Sequence, residues 1–363
     1  MRRLVKTLLA GALHYSGLLW FLVFCRRLIR GGEECVILTY HRVMPPADRP
    51  SPDRPGEALR SLPGIVVSPA TFAEQIAFLA RRHTIISLED LVDCLTTARK
   101  IPKRAAVVTF DDGWRDNYEY AFLILRQHGV PATVFLTTGF VGTDKVFWPE
   151  QVLAMITRLS DARATILELA RNSLPGSISR RITRVNTGGP SGTDTLAEKL
   201  IEGMKLLPPE KRNAVVAELA RQAGRQHVHE RPGRVMLNWE EVHLMRKADI
   251  SFGAHGATHE ILTGIGKDRQ HEEIFNARDE LMQRIPRQMP AFAYPNGNYS
   301  EQIQTLVREA GYSCALSVRR GVVSRTSDLF ALPRVSIHEN ASRGLRGRFS
   351  GALFALRVSG FRW

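Results

Sequence analysis

The chain has 363 residues, 44% of them hydrophobic, and a formal net charge of +14; this apolar content is ample for a core, and the length suits one α/β barrel with an insertion. Four cysteines, Cys25, Cys35, Cys94 and Cys314, lie far apart with no CxxC spacing, which argues against a zinc ribbon or a disulfide framework and favours a reducing compartment. Six basic residues in 1–30 and five in 341–363 have no acid among them, so eleven of the fourteen net charges are terminal and the body lacks the basic face that nucleic-acid binding demands.

The first predicted element is residues 8–24, LLAGALHYSGLLWFLVF. A cleavable signal peptide would end in small residues, whereas Cys25 is followed by Arg26, Arg27 and Arg30. A membrane span needs roughly 20 apolar residues, and this shorter run carries His14, Tyr15 and Ser16 near its middle. A helix lying in a membrane interface, or docked on the body, fits better. Strand-like runs then follow in order: CVILTY (35–40), HTIIS (83–87), AAVVTF (105–110), PATVFLTT (131–138), DISFGA (249–254), PAFAYP (290–295), SCALSV (313–318) and LPRVSI (332–337). Helical stretches alternate with them, such as 68–82 with Ser68 or Thr71 as cap and 117–129 ending at Gly129. The alternation predicts an α/β fold, a distorted (β/α) barrel of seven or eight parallel strands.

Between about Pro149 and Gly233 the rhythm breaks into mostly helical sequence around a Gly/Pro/Ser-rich stretch, NTGGPSGTDT, with the clearest helix in PPEKRNAVVAELARQAG (208–224). The expected organisation is therefore a basic apolar segment 1–34, barrel 35–148, helical insertion 149–234, barrel 235–340 and a basic amphipathic tail 341–363. The two ends predict peripheral contact with an anionic, cytoplasmic membrane face.

Three strand runs end in polar clusters, TFDDG, FGAHGATH and FAYPNG, and in a parallel barrel those ends open on one face. Asp111 and Asp112 are adjacent, so in a strand they point to opposite sides and cannot form one symmetrical acid/base pair. His255 and His259 are four apart, a spacing that suits two ligands on one cation, although Gly256 stands where a metalloprotease helix would carry Glu. Two imidazoles and one carboxylate would hold a divalent metal with positions left open. One aspartate can then bind the metal while the other takes a proton from water.

These motifs resemble those of the polysaccharide deacetylases, carbohydrate esterase family four with the NodB-homology domain, over about Val36 to Ile337 apart from the insertion. The resemblance implies Asp111 as catalytic base and Asp112, His255 and His259 as metal ligands, with zinc the first choice and cobalt, nickel or manganese the alternatives. FAYPNG departs from the family's RPPYG: Ala293 replaces the Arg that orients the base, and Asn296 stands at the position whose backbone N–H holds the oxyanion. Arg334, at another strand end, is the candidate replacement for that Arg, and His338 is the nearest candidate for the general acid. LTYHRV is similar to the opening strand of one branch of the family and implies that His41 contacts either the substrate, with Tyr294 and Pro295, or a carboxylate behind the site; Trp148, Trp239 and Tyr294 could stack on sugar rings. The implied activity is metal-dependent removal of N-acetyl groups from an amino-sugar polysaccharide, oligosaccharide or lipid-linked saccharide. The alternatives are a catalytically weak saccharide-binding scaffold and a glycosidase, whose flanking carboxylates adjacent aspartates do not provide.

Overall fold

The computed structural model describes residues 2–29, 31–46, 59, 61–184, 192–224 and 234–361; residues 186–191 of the Gly/Pro/Ser-rich stretch, with Arg30, Arg362 and Trp363, lie outside them. The chain opens with α1 (Arg2–Tyr15) and α2 (Leu18–Ile29), broken at Gly17, whose φ of +79° ends the first helix. The strands follow as β1 (Glu34–Tyr40), β2 (Arg42–Val43), β3 (Val66–Val67), β4 (Thr84–Ile85), β5 (Ala105–Phe110), β6 (Ala132–Leu136), β7 (Ile250–Ala254), β8 (Ala291–Ala293), β9 (Cys314–Leu316), β10 (Val323–Ser324) and β11 (Val335–Ser336). All eight predicted runs are among them. The two-residue strands β2, β3 and β10 are additions, β10 running antiparallel to β1 and β2 pairing with β3 in a separate small sheet.

The main sheet is curled and mostly parallel, in the order β1-β5-β6-β7-β8-β9, with β4 beside the start of β5 and β11 on the free side of β1. A parallel bridge between Leu316 and Leu332 ties β9 to the segment that leads into β11, so 332–336 joins the two edges and the sheet forms a distorted barrel. Strand parity divides the core. Cys35, Ile37, Ala105, Val107, Ala291, Ala293, Cys314 and Leu316 share one buried cluster, with Leu88 and Leu91 of α4 (Leu88–Thr96) packed into it. Their neighbours Val36, Leu38, Ala106, Val108 and Phe292 belong to a second cluster, together with the apolar faces of α3 (Pro69–Arg82) and α5 (Phe122–His128). Ser68 caps α3 by accepting the Thr71 N–H, and Gly129 ends α5 in the left-handed region.

Five helices occupy the insertion: α6 (Trp148–Ile156), α7 (Ala162–Ser173), α8 (Gly176–Thr183), α9 (Gly192–Met204) and α10 (Pro209–Gln222). They close around an apolar cluster of their own, from Val152 to Leu219. The barrel resumes with α11 (Trp239–Arg246), whose N-terminus carries a reciprocal capping box between Asn238 and Glu241. It continues through α12 (Lys267–Arg284) and α13 (Glu301–Glu309).

The C-terminal residues are not the free amphipathic tail that their composition suggests. They form α14 (Gly351–Val358), whose Leu353, Phe354, Leu356 and Val358 are buried in the barrel's outer core, while Arg357 donates to the Ser336 carbonyl. An apolar helix carrying one arginine fits a bilayer or a protein groove equally well by pattern, and here the groove is the flank of the barrel beside α1 and α3.

Candidate active site

The polar clusters at the ends of β5, β7 and β8 meet in one pocket, lined among others by His41, Asp111, Asp112, His255, His259 and Asn296. Asp111 continues the parity of Val107 and Thr109, so its carboxylate turns toward the barrel axis. There it meets Arg334 in a two-pronged pair, Nη1 to Oδ1 and Nη2 to Oδ2, both 2.7 Å. Arg334 is fully buried and is held in turn: its Nε donates to the Ser317 carbonyl (2.9 Å) and its Nη1 to Thr39 Oγ1 (3.1 Å). Burial alone would raise the Asp111 carboxyl, but the Arg334 guanidinium, with His255 and His41 nearby, outweighs it and holds the group below its ordinary value.

Asp112 reaches the same pocket because its backbone turns through φ +78°, which a strand continuation would not allow. Six non-glycine residues have positive φ among the described residues, and three of them, Asp112, His259 and Asn296, line this pocket; strain of that kind gathers where a site must be assembled. Gly113 follows at φ +82°, where a Cβ would stand 2.9 Å from Leu136 Cδ2. The turn is fixed by Trp114, whose indole N–H donates to Asp112 Oδ2 (2.8 Å). The other carboxylate oxygen faces His259 Nε2 at 3.3 Å and His255 Nε2 at 3.5 Å.

These three side chains fit a divalent cation. Their ligand atoms lie within 4.8 Å of one another, and the His255 Nδ1, 2.7 Å from the Ala293 carbonyl, is committed to that oxygen, so Nε2 is the free donor. Burial pushes the His255 imidazole down to about 4, leaving it neutral as a ligand must be. Burial would also raise the Asp112 carboxyl, yet the hydrogen bond from His259 and the surrounding imidazoles hold it well below the ordinary range. His259 is raised against its burial by the same carboxylate, so the cluster favours positive charge at its centre.

The HGATH loop is pinned from below. Glu273 of α12 accepts from the Thr258 N–H (2.9 Å) and from the Thr258 hydroxyl. Gly256 sits at φ +77°, where a Cβ would lie 2.7 Å from Glu273 Oε2, so this carboxylate occupies the space a larger residue would need. The YHRV segment is clamped just as firmly. Arg42 pairs with Asp116 (2.8 Å) and lies over the Trp114 ring, and Asn117 donates to the His41 carbonyl (2.8 Å). His41 Nε2 is thereby set 3.9 Å from Asp111 Oδ2.

Several expectations fail. His338 is not part of the pocket lining; it is half-buried past β11 near Arg357 and Lys6, and burial followed by those charges pushes it down to about 4. Tyr294 borders the pocket, but its ring is buried against Tyr299 and its hydroxyl donates to the Phe330 carbonyl, so it has no face for a sugar. Pro295 packs beside Gly256 and is absent from the lining. Trp239 packs on the outer core under Arg284, whereas Trp148 does line the pocket.

The insertion supplies residues that sequence reasoning missed: Glu150 and Lys205 both border the pocket. Glu150 is 2% exposed, and burial pushes its carboxyl up to about 7 despite the Arg42 charge. In sequence it looks like an ordinary acid in the first turn of a helix, which the helix dipole favours anyway. Trp114, next to DDG, could have been suspected from its position alone.

With this geometry in place, likeness to known proteins becomes informative. The profile of the family described as polysaccharide deacetylase matches residues 98–162 and 205–315, leaving out both His41 and Arg334. The Bacillus subtilis protein YxkH, named as a polysaccharide deacetylase, is 20% identical over 258 residues, 71% of this chain; the chain thus spans 59% of that relative's length. A poly-β-1,6-N-acetyl-D-glucosamine N-deacetylase of Staphylococcus aureus is 34% identical over 79 residues, 22% of this chain and 27% of its own. Among solved structures, the deacetylase PplD of Streptococcus pyogenes and IcaB of Ammonifex degensii share the fold at a TM-score of 0.54, with 18% and 17% identity, over 90% of this chain and 98% of each of theirs.

Proposed function

The chain belongs to the polysaccharide deacetylase family, and from that premise we propose that it hydrolyses the N-acetyl group of an amino sugar, releasing acetate and a free amine. The observation that carries the reading is the Arg334–Asp111 pair beside the Asp112–His255–His259 cluster, all but Arg334 lining one pocket. A scaffold that only binds saccharide has no use for an ionised carboxylate held by a buried guanidinium.

Asp111 is the base: Arg334 keeps it ionised and aims it, and it takes the proton from the attacking water. A divalent cation held by Asp112, His255 and His259, zinc first and cobalt, nickel or manganese otherwise, would polarise the acetamide carbonyl and make that water more acidic. The backbone N–H of Asn296, on the pocket wall, serves the oxyanion of the tetrahedral intermediate. The leaving amine needs a proton, and His41, within reach of Asp111 and on the lining, replaces His338 in that role. Trp148 offers the sugar an aromatic wall. The named activity of the Staphylococcus aureus relative makes β-linked N-acetylglucosamine oligomers the first substrate to try, with lipid-linked sugars the second.

Acetate release from both, with and without chelator, tests the reading. Asp112→Ala, His255→Ala and His259→Ala should each lose bound metal by elemental analysis, whereas Asp111→Asn should keep metal and lose turnover. Loss of metal from Asp111→Asn as complete as from Asp112→Ala would reverse the division of roles.

A further inference from the structure

We propose that the outer faces of α1 and α2 form a docking surface for an anionic lipid bilayer, independent of the reaction in the pocket. Of the sixteen large apolar side chains that are exposed among the described residues, eleven lie between Leu4 and Ile29. Singly exposed apolar residues are normal on any surface, but such segregation into one contiguous stretch is the mark of an interaction face.

The two helices divide their faces. Ala10 and Leu19 are buried, and Leu13 and Trp20 pack against the core, with α1 lying along α14. Leu8, Leu9, Phe21, Leu22, Phe24 and Leu28 stand outward. The pair is anchored to the barrel at its far end by Arg26, which binds Glu34 at 3.0 Å and the Ser359 carbonyl at 2.6 Å. No single helix among the described residues is long and apolar enough to cross a membrane; this pair reaches that length and composition only when its two helices are taken together, and it bends by 68° at its break. It therefore suits lying along an interface, inserting side chains to headgroup depth.

Charge selects the occupant. Neither helix contains an acidic residue. Lys6 is exposed on α1, Arg82 is close enough to depress His14, after burial, and Arg104 lies 5.3 Å over the Trp20 ring. A second copy of the chain would bring these cations against their own equivalents, whereas an anionic headgroup layer complements them. Tyr15, 83% exposed at the bend, and the half-buried Trp20 are the amphipathic aromatics that favour the headgroup level.

The test is flotation of the full chain with vesicles of phosphatidylcholine alone or with one quarter phosphatidylglycerol, alongside light scattering of the free protein. The chain should float with the anionic vesicles, and high salt should weaken that binding. The pair Leu8→Glu and Phe21→Glu should lower it at least tenfold with an unchanged melting curve, because both side chains are already in water. Arg82→Glu with Arg104→Glu should remove most of the preference for anionic lipid. Flotation of the Leu8→Glu, Phe21→Glu protein equal to that of the parent overturns the proposal. So does a discrete dimer in solution that those substitutions dissociate, since the face would then be covered by a second copy.

Discussion

Burying a guanidinium is costly unless its donors are used, and Arg334 spends its own on Asp111, Thr39 and the Ser317 carbonyl. Such a fork cannot be reproduced by a lysine, whose ammonium is a point charge. In Arg334→Lys, kcat should fall on the order of tenfold to hundredfold, with KM little changed. The acidic limb of the rate profile should move to higher pH, because Asp111 loses part of what holds its carboxyl low. A fully active variant with an unmoved profile would remove Arg334 from the mechanism. The residues named from DDG and HGATH were legible because their spacing reports local chemistry. Arg334 was legible only as a vacancy at Ala293 waiting for a substitute, and Glu150 not at all, since its burial depends on where a distant helix packs. Glu150 makes a second prediction. Its folded value of about 7 lies above the ordinary 4.5, so the folded state holds the proton more tightly. The native state should be most favoured below about pH 4.5 on this account, and lose on the order of 3 kcal/mol as pH rises toward about 7, with little further loss above. Glu150→Gln should therefore gain stability relative to the parent between urea titrations at pH 5 and pH 8. An equal pH dependence in the two proteins would refute the buried-acid reading.

At the scale of elements, β1, β5, β8 and β9, whose successive residues alternate between two buried clusters, read as unbroken apolar runs, which is why those strands were visible. The two-residue strands β2, β3 and β10 carry no such pattern; pairing with neighbours makes them strands. The ends of the chain show how pattern can mislead. Residues 4–29 and 351–358 have similar compositions, yet one presents its apolar side chains to solvent and the other fills the barrel's flank. Phe354 is 0% exposed and meets Phe78 edge-on at 5.5 Å, whereas Leu8 is 60% exposed. Phe354→Ala should cost about 3–5 kcal/mol in a urea titration, through lost burial and the cavity left behind. Leu8→Ala should cost no more than about 0.5 kcal/mol. Similar small losses from both would mean that α14 is not part of the core.

The molecule as a whole joins two apolar bodies through one pocket wall. The insertion closes on its own cluster and reaches the barrel's site with Trp148, Glu150 and Lys205, while Arg212 pairs with Glu260 at 2.7 Å across the junction. The break in sequence rhythm after Trp148 marked the insertion, but nothing local could say that it walls the site, because that depends on how five helices return to the barrel. Separate cores open with separate free energies, and a helical unit docked through few residues should open before a continuous parallel sheet. In hydrogen exchange of the metal-loaded protein, amides of α7, α8 and α9 should therefore exchange well before those of β1, β5 and β6. An N-acetylglucosamine oligomer should slow exchange in α6, which carries Trp148 and Glu150, more than in α7, because ligand in the pocket must hold that wall closed. Exchange that is uniform across insertion and barrel would show one cooperative unit. Protection by the oligomer confined to barrel segments would show that the saccharide does not touch the insertion, and Trp148 would lose its place in the site.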